Sequence, residues 1–264
     1  MMKLNGWLLG YGMILVMLGL TSCSNQESAD RQLLAEIRAK AEKGDAHAQN
    51  QLGEVFYSGK GGVAKDYQQA VNWYRKAAGQ NDAPAQFNLG VCYEHGQGVA
   101  KDEGEAAKWF RKAAEQNHAK AQINLGFYYF KGRGMAKDEA EGIKWWRKAA
   151  EQNSADAQNN LGVLYFLGQG VAKDEAEAAK WFRKAAEQNL AGAQSKLGNC
   201  YANGQGVAKD EVEAYKWWLL AATQGDELAR NNLAILESAL TQVQIAEGKK
   251  REREFKPKKL TPVP

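Results

Sequence analysis

Cysteine, histidine and proline are all scarce, at three, three and four copies in 264 residues. Three cysteines cannot build a disulfide framework. His47, His95 and His118 are scattered, none at ligand spacing to another, so no metal centre and no catalytic histidine constellation is expected. No cofactor is expected either. Four prolines beside 27 glycines exclude both collagen and a Pro/Gly linker. The sequence contains no Ser-x-x-Lys, and so no serine β-lactamase nucleophile with its lysine. The apolar run Trp7 to Leu20 has 14 residues, short of the roughly 20 that a bilayer-spanning helix needs. What remains is 25% charged, 44% hydrophobic and has a mean hydropathy of −0.58, the profile of a folded, water-soluble body.

The first residues read as an address. Lys3 and the amino terminus precede the apolar run, and small and polar residues follow it, which is a signal-peptide layout over residues 1–22. The run ends in Leu20-Thr21-Ser22-Cys23, which resembles the lipobox of bacterial lipoproteins. That resemblance implies cleavage before Cys23, acylation of its sulfur, and, with Ser24 next instead of Asp, an outer-membrane anchor facing the periplasm. Several acyl chains at one point hold firmly, since each buried CH₂ contributes about 0.8 kcal/mol. The membrane would then be met through the anchor alone, with residues 23–31 as a polar tether.

The body repeats. Leu52-Gly53, Leu89-Gly90, Leu125-Gly126, Leu161-Gly162 and Leu197-Gly198 stand 37, 36, 36 and 36 residues apart, and Leu233-Ala234 lies another 36 on. So strict a period means a solenoid whose units bury their apolar faces against their neighbours. Each unit reads as two helices. The first carries an apolar stripe through Ala85, Leu89 and Cys92 or Tyr93 and stops at a G-x-G loop. The second opens at Asp66, Asp102, Asp138, Asp174 or Asp210 with Gln or Glu three residues later, a capping-box pattern. Paired aromatics follow (Trp73-Tyr74, Trp109-Phe110, Trp145-Trp146, Trp181-Phe182, Trp217-Trp218), and the helix ends at Asn81, Asn117, Asn153, Asn189 or Gly225, residues that accept the left-handed conformation. Units are expected at 45–81, 82–117, 118–153, 154–189 and 190–225. A half repeat at 32–44, with Leu33, Leu34 and Ile37, caps one end. At the other, 226–253 forms a half repeat with Leu233, Ile235, Leu236 and Leu240 and a capping helix opened by Thr241-Gln242-Val243-Gln244. Residues 254–264 read as a disordered tail.

The pattern A-x-A-Q-x-x-L-G-x-x-Y, G-x-G-V-x-x-D, A-x-x-W-F-x-x-A-A-x-Q-N/G resembles the Sel1-like repeat, a relative of the tetratricopeptide repeat. The resemblance implies an all-α, right-handed superhelical solenoid of helix pairs with a concave face lined by first helices. It also implies a non-catalytic scaffold or adaptor that binds a protein or peptide there, in the cell envelope and as a monomer. In the borrowed tetratricopeptide register the lining is Phe87 and Val91, then Ile123, Phe127 and Phe130, then Val163, Phe166 and Leu167. Polar residues flank them, Glu54, Tyr57 and Ser58 on one side and Ser195 and Asn199 on the other. Aromatic anchors inside a polar rim suit peptide recognition.

Other functions have less behind them. The Arg-Lys pairs at 75–76, 111–112, 147–148 and 183–184 could form a basic stripe, but Glu105 near Lys108 and its equivalents balance them, so no nucleic-acid partner is expected. The basic excess sits in residues 249–259, with seven basic and two acidic side chains. Some Cys-rich Sel1-like proteins are described as penicillin-binding with weak β-lactamase activity, and a hydrolase of that kind is the alternative. Their paired cysteines are missing here, because Cys92 and Cys200 occupy equivalent places three repeats apart, too far for a disulfide.

Overall fold

The computed structural model describes residues 29–258, and the described residues are helical with no strand. The expected signal segment and Cys23 lie outside them. Contacts divide the chain into two compact units, one ending at Ala113 and the other starting at Ala114. The first holds α1 (29–42), α2 (Ala46–Ser58), α3 (Tyr67–Gly79), α4 (Ala83–His95) and most of α5 (Glu103–Glu115). The second holds α6 (Ala119–Lys131), α7 (Glu139–Glu151), α8 (Ala155–Leu167), α9 (Glu175–Glu187), α10 (Ala191–Asn203), α11 (Glu211–Thr223), α12 (Glu227–Glu237) and α13 (Gln242–Glu254). In the first, α3 packs on α2 and α4; in the second each helix from α6 to α11 packs on the next, and α11 carries both α12 and α13. This is an all-α helical-repeat solenoid.

Caps set the period. Asp45, Asp82, Ser154 and Asp226 each accept an N–H of the first turn of a first helix, and so does Nδ1 of His118, 3.2 Å from the amide nitrogen of Ala121. Leu190 alone among the six gives no side-chain cap. First helices close on Gly59, Gly96, Gly132, Gly168 or Gly204 at φ of +68° to +73°, and second helices on Asn81, Asn117, Asn153 or Asn189 at +61° to +67°. An asparagine tolerates that region because its short amide bonds locally to the backbone.

The expected capping boxes are only half made. Each Asp accepts the N–H three residues on, but Glu105, Glu141, Glu177 and Glu213 turn to Lys108, Lys144, Lys180 and Lys216 at 2.6–3.3 Å. A lysine one turn ahead supplies a full charge, which wins over a backbone amide. The reciprocal box forms at Thr241 and Gln244.

Glycine and aromatic meet inside every repeat. A Cβ on Gly53, Gly90, Gly126, Gly162 or Gly198 would stand 2.5–2.7 Å from the ring of Tyr74, Phe110, Trp146, Phe182 or Trp218. The second ring of each pair therefore takes the space that a side chain on the partner helix would fill. The first ring of the pair takes a lysine instead. Lys76, Lys112, Lys148 and Lys184 stand 3.9–4.2 Å from the ring centroids of Trp73, Trp109, Trp145 and Trp181. The arginines beside them reach the next first helix, Arg75 to Tyr93, Arg147 to Tyr165 and Arg183 to Tyr201.

The ends depart from expectation. Residues 29–31, expected as tether, are already helical. Leu34 and Ile37 pack on Ala41, Ala48 and Leu52, whereas Leu33 is 57% exposed, pointing off the packed face of α1. Leu233 and Leu240 are buried, yet Ile235 is 71% exposed. The tail is ordered through residue 258. Glu254 ends α13, the Phe255 ring meets Trp217 at 5.5 Å, and the Lys258 N–H donates to the Glu187 carbonyl at 2.8 Å while its ammonium pairs with the Glu187 carboxylate. The sequence explains this dock. Where earlier repeats carry Arg-Lys, the last has Leu219-Leu220, and buried Leu220 joins Trp217 in the cluster that Phe255 covers.

Candidate peptide-binding surfaces

In the first unit a cavity of about 480 Å³ opens between α1, α2 and α4. Its floor is the buried ring of Tyr74, its walls are Ile37, Val55, Phe87 and Val91, and its polar rim includes Glu54, Tyr57, Ser58, Lys60 and Asn88. Phe87 and Val91 were expected in a groove with Glu54, Tyr57 and Ser58 beside them, and the fold brings all five together. Phe87 is steadied by the Phe110 ring at 5.7 Å, and the Tyr57 hydroxyl donates to the Gln97 side chain. Burial raises the Tyr57 phenol above its ordinary value. Asn50 and Asn88 both donate to one oxygen of Glu54, at 3.2 and 3.3 Å.

In the second unit the expected lining splits. Phe127 is 39% exposed with the Arg133 guanidinium 5.8 Å from its ring centroid, and Leu167 is 53% exposed. Ile123, Val163 and Phe166 are half-buried: Ile123 leans on the cluster of Leu161 and Leu164, Val163 and Phe166 on that of Ala193 and Leu197. Phe130 does not line a surface. It is 8% exposed, its ring 5.3 Å from Trp146. The cause is Gly142, where the other repeats have Ala70, Ala106, Ala178 and Ala214; a Cβ there would meet the Gly126 carbonyl at 2.6 Å, so α7 lies against α6 and Phe130 is enclosed. Ser195 and Asn199 are also engaged. The Ser195 hydroxyl donates to Asp226 at 3.3 Å, and Asn199 accepts from Trp218 and Asn232 at 3.0 and 3.1 Å.

A row of buried glutamines is the feature that sequence reasoning missed. Gln49, Gln122, Gln158 and Gln194 each donate to the carbonyl eight residues back, at the end of the preceding second helix, at 3.1–3.2 Å. Each also accepts from the glutamine that ends the following second helix: Gln80, Gln152, Gln188 and Gln224, at 2.7–2.8 Å. The Gln of A-x-A-Q was the available signal, but its partners are set by tertiary packing.

Reactive groups are withdrawn. The thiols of Cys92 and Cys200 are free and buried, and burial pushes them up to about 12 and about 11. Half-buried Lys196 is held below its ordinary value by desolvation, its ammonium donating to the Gly192 carbonyl at 3.0 Å. Among the described residues no three His, Cys, Asp or Glu side chains cluster for a metal, and no helix is long and apolar enough to cross a membrane.

Comparison with known proteins agrees with this architecture. A model of the Sel1 repeat matches residues 46–82, 83–118, 119–154, 155–190 and 191–226. The crystal structure of c5321, a protective antigen of uropathogenic Escherichia coli strains displaying an SLR fold, is 34% identical with a TM-score of 0.75, covering 91% of this chain and 56% of that one. A Sel1 repeat protein from Oxalobacter formigenes is 35% identical with a TM-score of 0.72, covering 77% and 58%. Among curated relatives, the ERAD-associated E3 ubiquitin-protein ligase component HRD3A of Arabidopsis thaliana is 36% identical over 93 residues, 34% of this chain. The match spans 13% of that relative's length.

Proposed function

The chain belongs to the Sel1 repeat family, and from that premise we propose that it is a non-catalytic scaffold that binds another protein or a peptide through its first helices. The observation that carries this is the exposure of Phe127 and Leu167 on α6 and α8, Phe127 being the one exposed aromatic side chain among the described residues. Exposed apolar side chains ringed by polar ones are what an interface presents before its partner arrives. HRD3A, named as a component of a larger ligase, supports a role in assembly.

The address completes the proposal. Residues 7–20 and Leu-Thr-Ser-Cys support a protein acylated at Cys23 and held at the outer membrane facing the periplasm. A relative described as a protective antigen agrees with an envelope address. Replacing Phe127 and Leu167 with Ser should leave helicity nearly unchanged and remove partners captured by in-cell crosslinking. Persistence of the same partners would overturn the role of this surface. Cys23→Ser should release the chain from the membrane fraction.

A further inference from the structure

We propose that the cavity of the first unit seats a lysine or arginine side chain of a partner peptide, the aliphatic stem along Val55, Phe87 and Val91 and the cation on Glu54. The proposal rests on the scaffold reading and names the chemistry of one side chain that the scaffold takes.

Glu54 is the odd residue of its register. Two residues after the Leu of each Leu-Gly pair stand Glu54, Val91, Phe127, Val163 and Asn199, so only this repeat places an acid there. Glu105, Glu141, Glu177 and Glu213 each have a lysine one turn ahead, whereas Glu54 is followed at that spacing by Tyr57 and Ser58. Among the described residues no cation lies within ion-pair distance of it. Asn50 and Asn88 fix the carboxylate through one oxygen and leave the other for an incoming donor. A carboxylate held in advance on the rim of an apolar cavity costs a cationic guest little reorganisation.

The cavity suits such a guest. Its volume of about 480 Å³ lies within the range of small-ligand sites, and its surface is chiefly apolar, as an alkyl stem requires. Lys60, on the loop side and with no acid in ion-pair range among the described residues, gives the cavity a direction. It repels a cation from that end and attracts the guest's backbone carbonyl.

The test is a titration of the full chain, solubilised in detergent, with the Nα-acetyl amides of arginine, lysine, norleucine and glutamate. Arginine and lysine amides should bind about fivefold or more tightly than the norleucine amide, the scale of a partly exposed charge-assisted contact. Glu54→Gln, which keeps an oxygen for the asparagines, should erase that preference, and Lys60→Met should leave or strengthen it. A preference for the norleucine or glutamate amide, an arginine preference that survives in Glu54→Gln, or loss of arginine binding in Lys60→Met would each overturn the proposal. The two readings fail separately. Partners lost on replacing Phe127 and Leu167, with no arginine preference, refute this site and keep the scaffold; partners that survive that replacement refute the scaffold surface whatever the amides do.

Discussion

Substituting Gly162 by Ala tests the contact on which every repeat is built. The new Cβ would stand 2.5 Å from Cδ1 and 2.6 Å from Cε1 of Phe182, where carbon atoms rest at about 3.5–4.0 Å. The ring is 2% exposed and enclosed by Ala178, Ala185 and Ala186, so about 1 Å of retreat must be shared between ring and helix. Overpacking of that kind costs about 1–3 kcal/mol, and the better helix propensity of Ala returns about 0.5–1. A net loss of about 0.5–2 kcal/mol follows, a fall in Tm of about 1–8 °C for a body of this size. Urea denaturation followed by circular dichroism measures it. Gly192→Ala is the control: its Cβ would meet nothing closer than the flexible Lys196 ammonium at 3.7 Å, so it should be neutral or mildly stabilising. Because each unit leans on its neighbours, hydrogen exchange should rise first in α8 and α9. Adding Phe182→Leu should recover part of the loss, a coupling that independent sites would not show. A Gly162→Ala variant as stable as the parent would refute the reasoning.

Three other outcomes follow from the same geometry. Gln158→Leu removes the buried amide that bonds both the Ala150 carbonyl and the Gln188 side chain, which keep the Asn153 N–H and the Lys184 carbonyl as partners, and should cost about 1–3 kcal/mol in urea denaturation; a change below about 0.5 would show that the glutamine row is dispensable. The thiols stay protonated up to about 12 in Cys92 and about 11 in Cys200 when folded, but ionise near ~8.5 when unfolded. The unfolded chain then binds fewer protons above that point, so stability should fall as pH rises past it, by up to about 1.4 kcal/mol per pH unit for each thiol. The double Cys92→Ala, Cys200→Ala variant should flatten the dependence of the urea midpoint on pH, and an unchanged slope would refute the assignment. Phe255→Ala, or Leu220→Lys restoring the residue of earlier repeats, should free the tail to limited proteolysis and alter tryptophan fluorescence; equal protection in both variants would refute the dock on Trp217.

Much of the fold was legible because its signals are local. Asp before each second helix and Asn or Gly after it act on the backbone within a few residues, and the structure shows them at those places. The Leu-Gly register also located the Glu54, Tyr57, Phe87 and Val91 neighbourhood. It failed at Phe130, since enclosure there depends on one glycine in the facing helix, which a register borrowed from other repeats does not weigh. The ordered tail was missed for a related reason. Leu219-Leu220 was visible as a departure from Arg-Lys, but what covers an apolar pair is decided about 35 residues later in the chain, at Phe255.

Those two leucines also constrain how such a chain grows. Interior repeats meet through the same parts, a glutamine hooked to the preceding helix and an arginine that reaches a tyrosine of the next first helix. Copying one of them in tandem therefore creates junctions already known to fit. The final repeat is different, because its outer face is apolar and depends on α13 and Phe255 to cover it. A duplicate of that repeat would leave one copy uncovered, so units are free to multiply ahead of residue 190, while the last repeat and the segment that covers it must be inherited together.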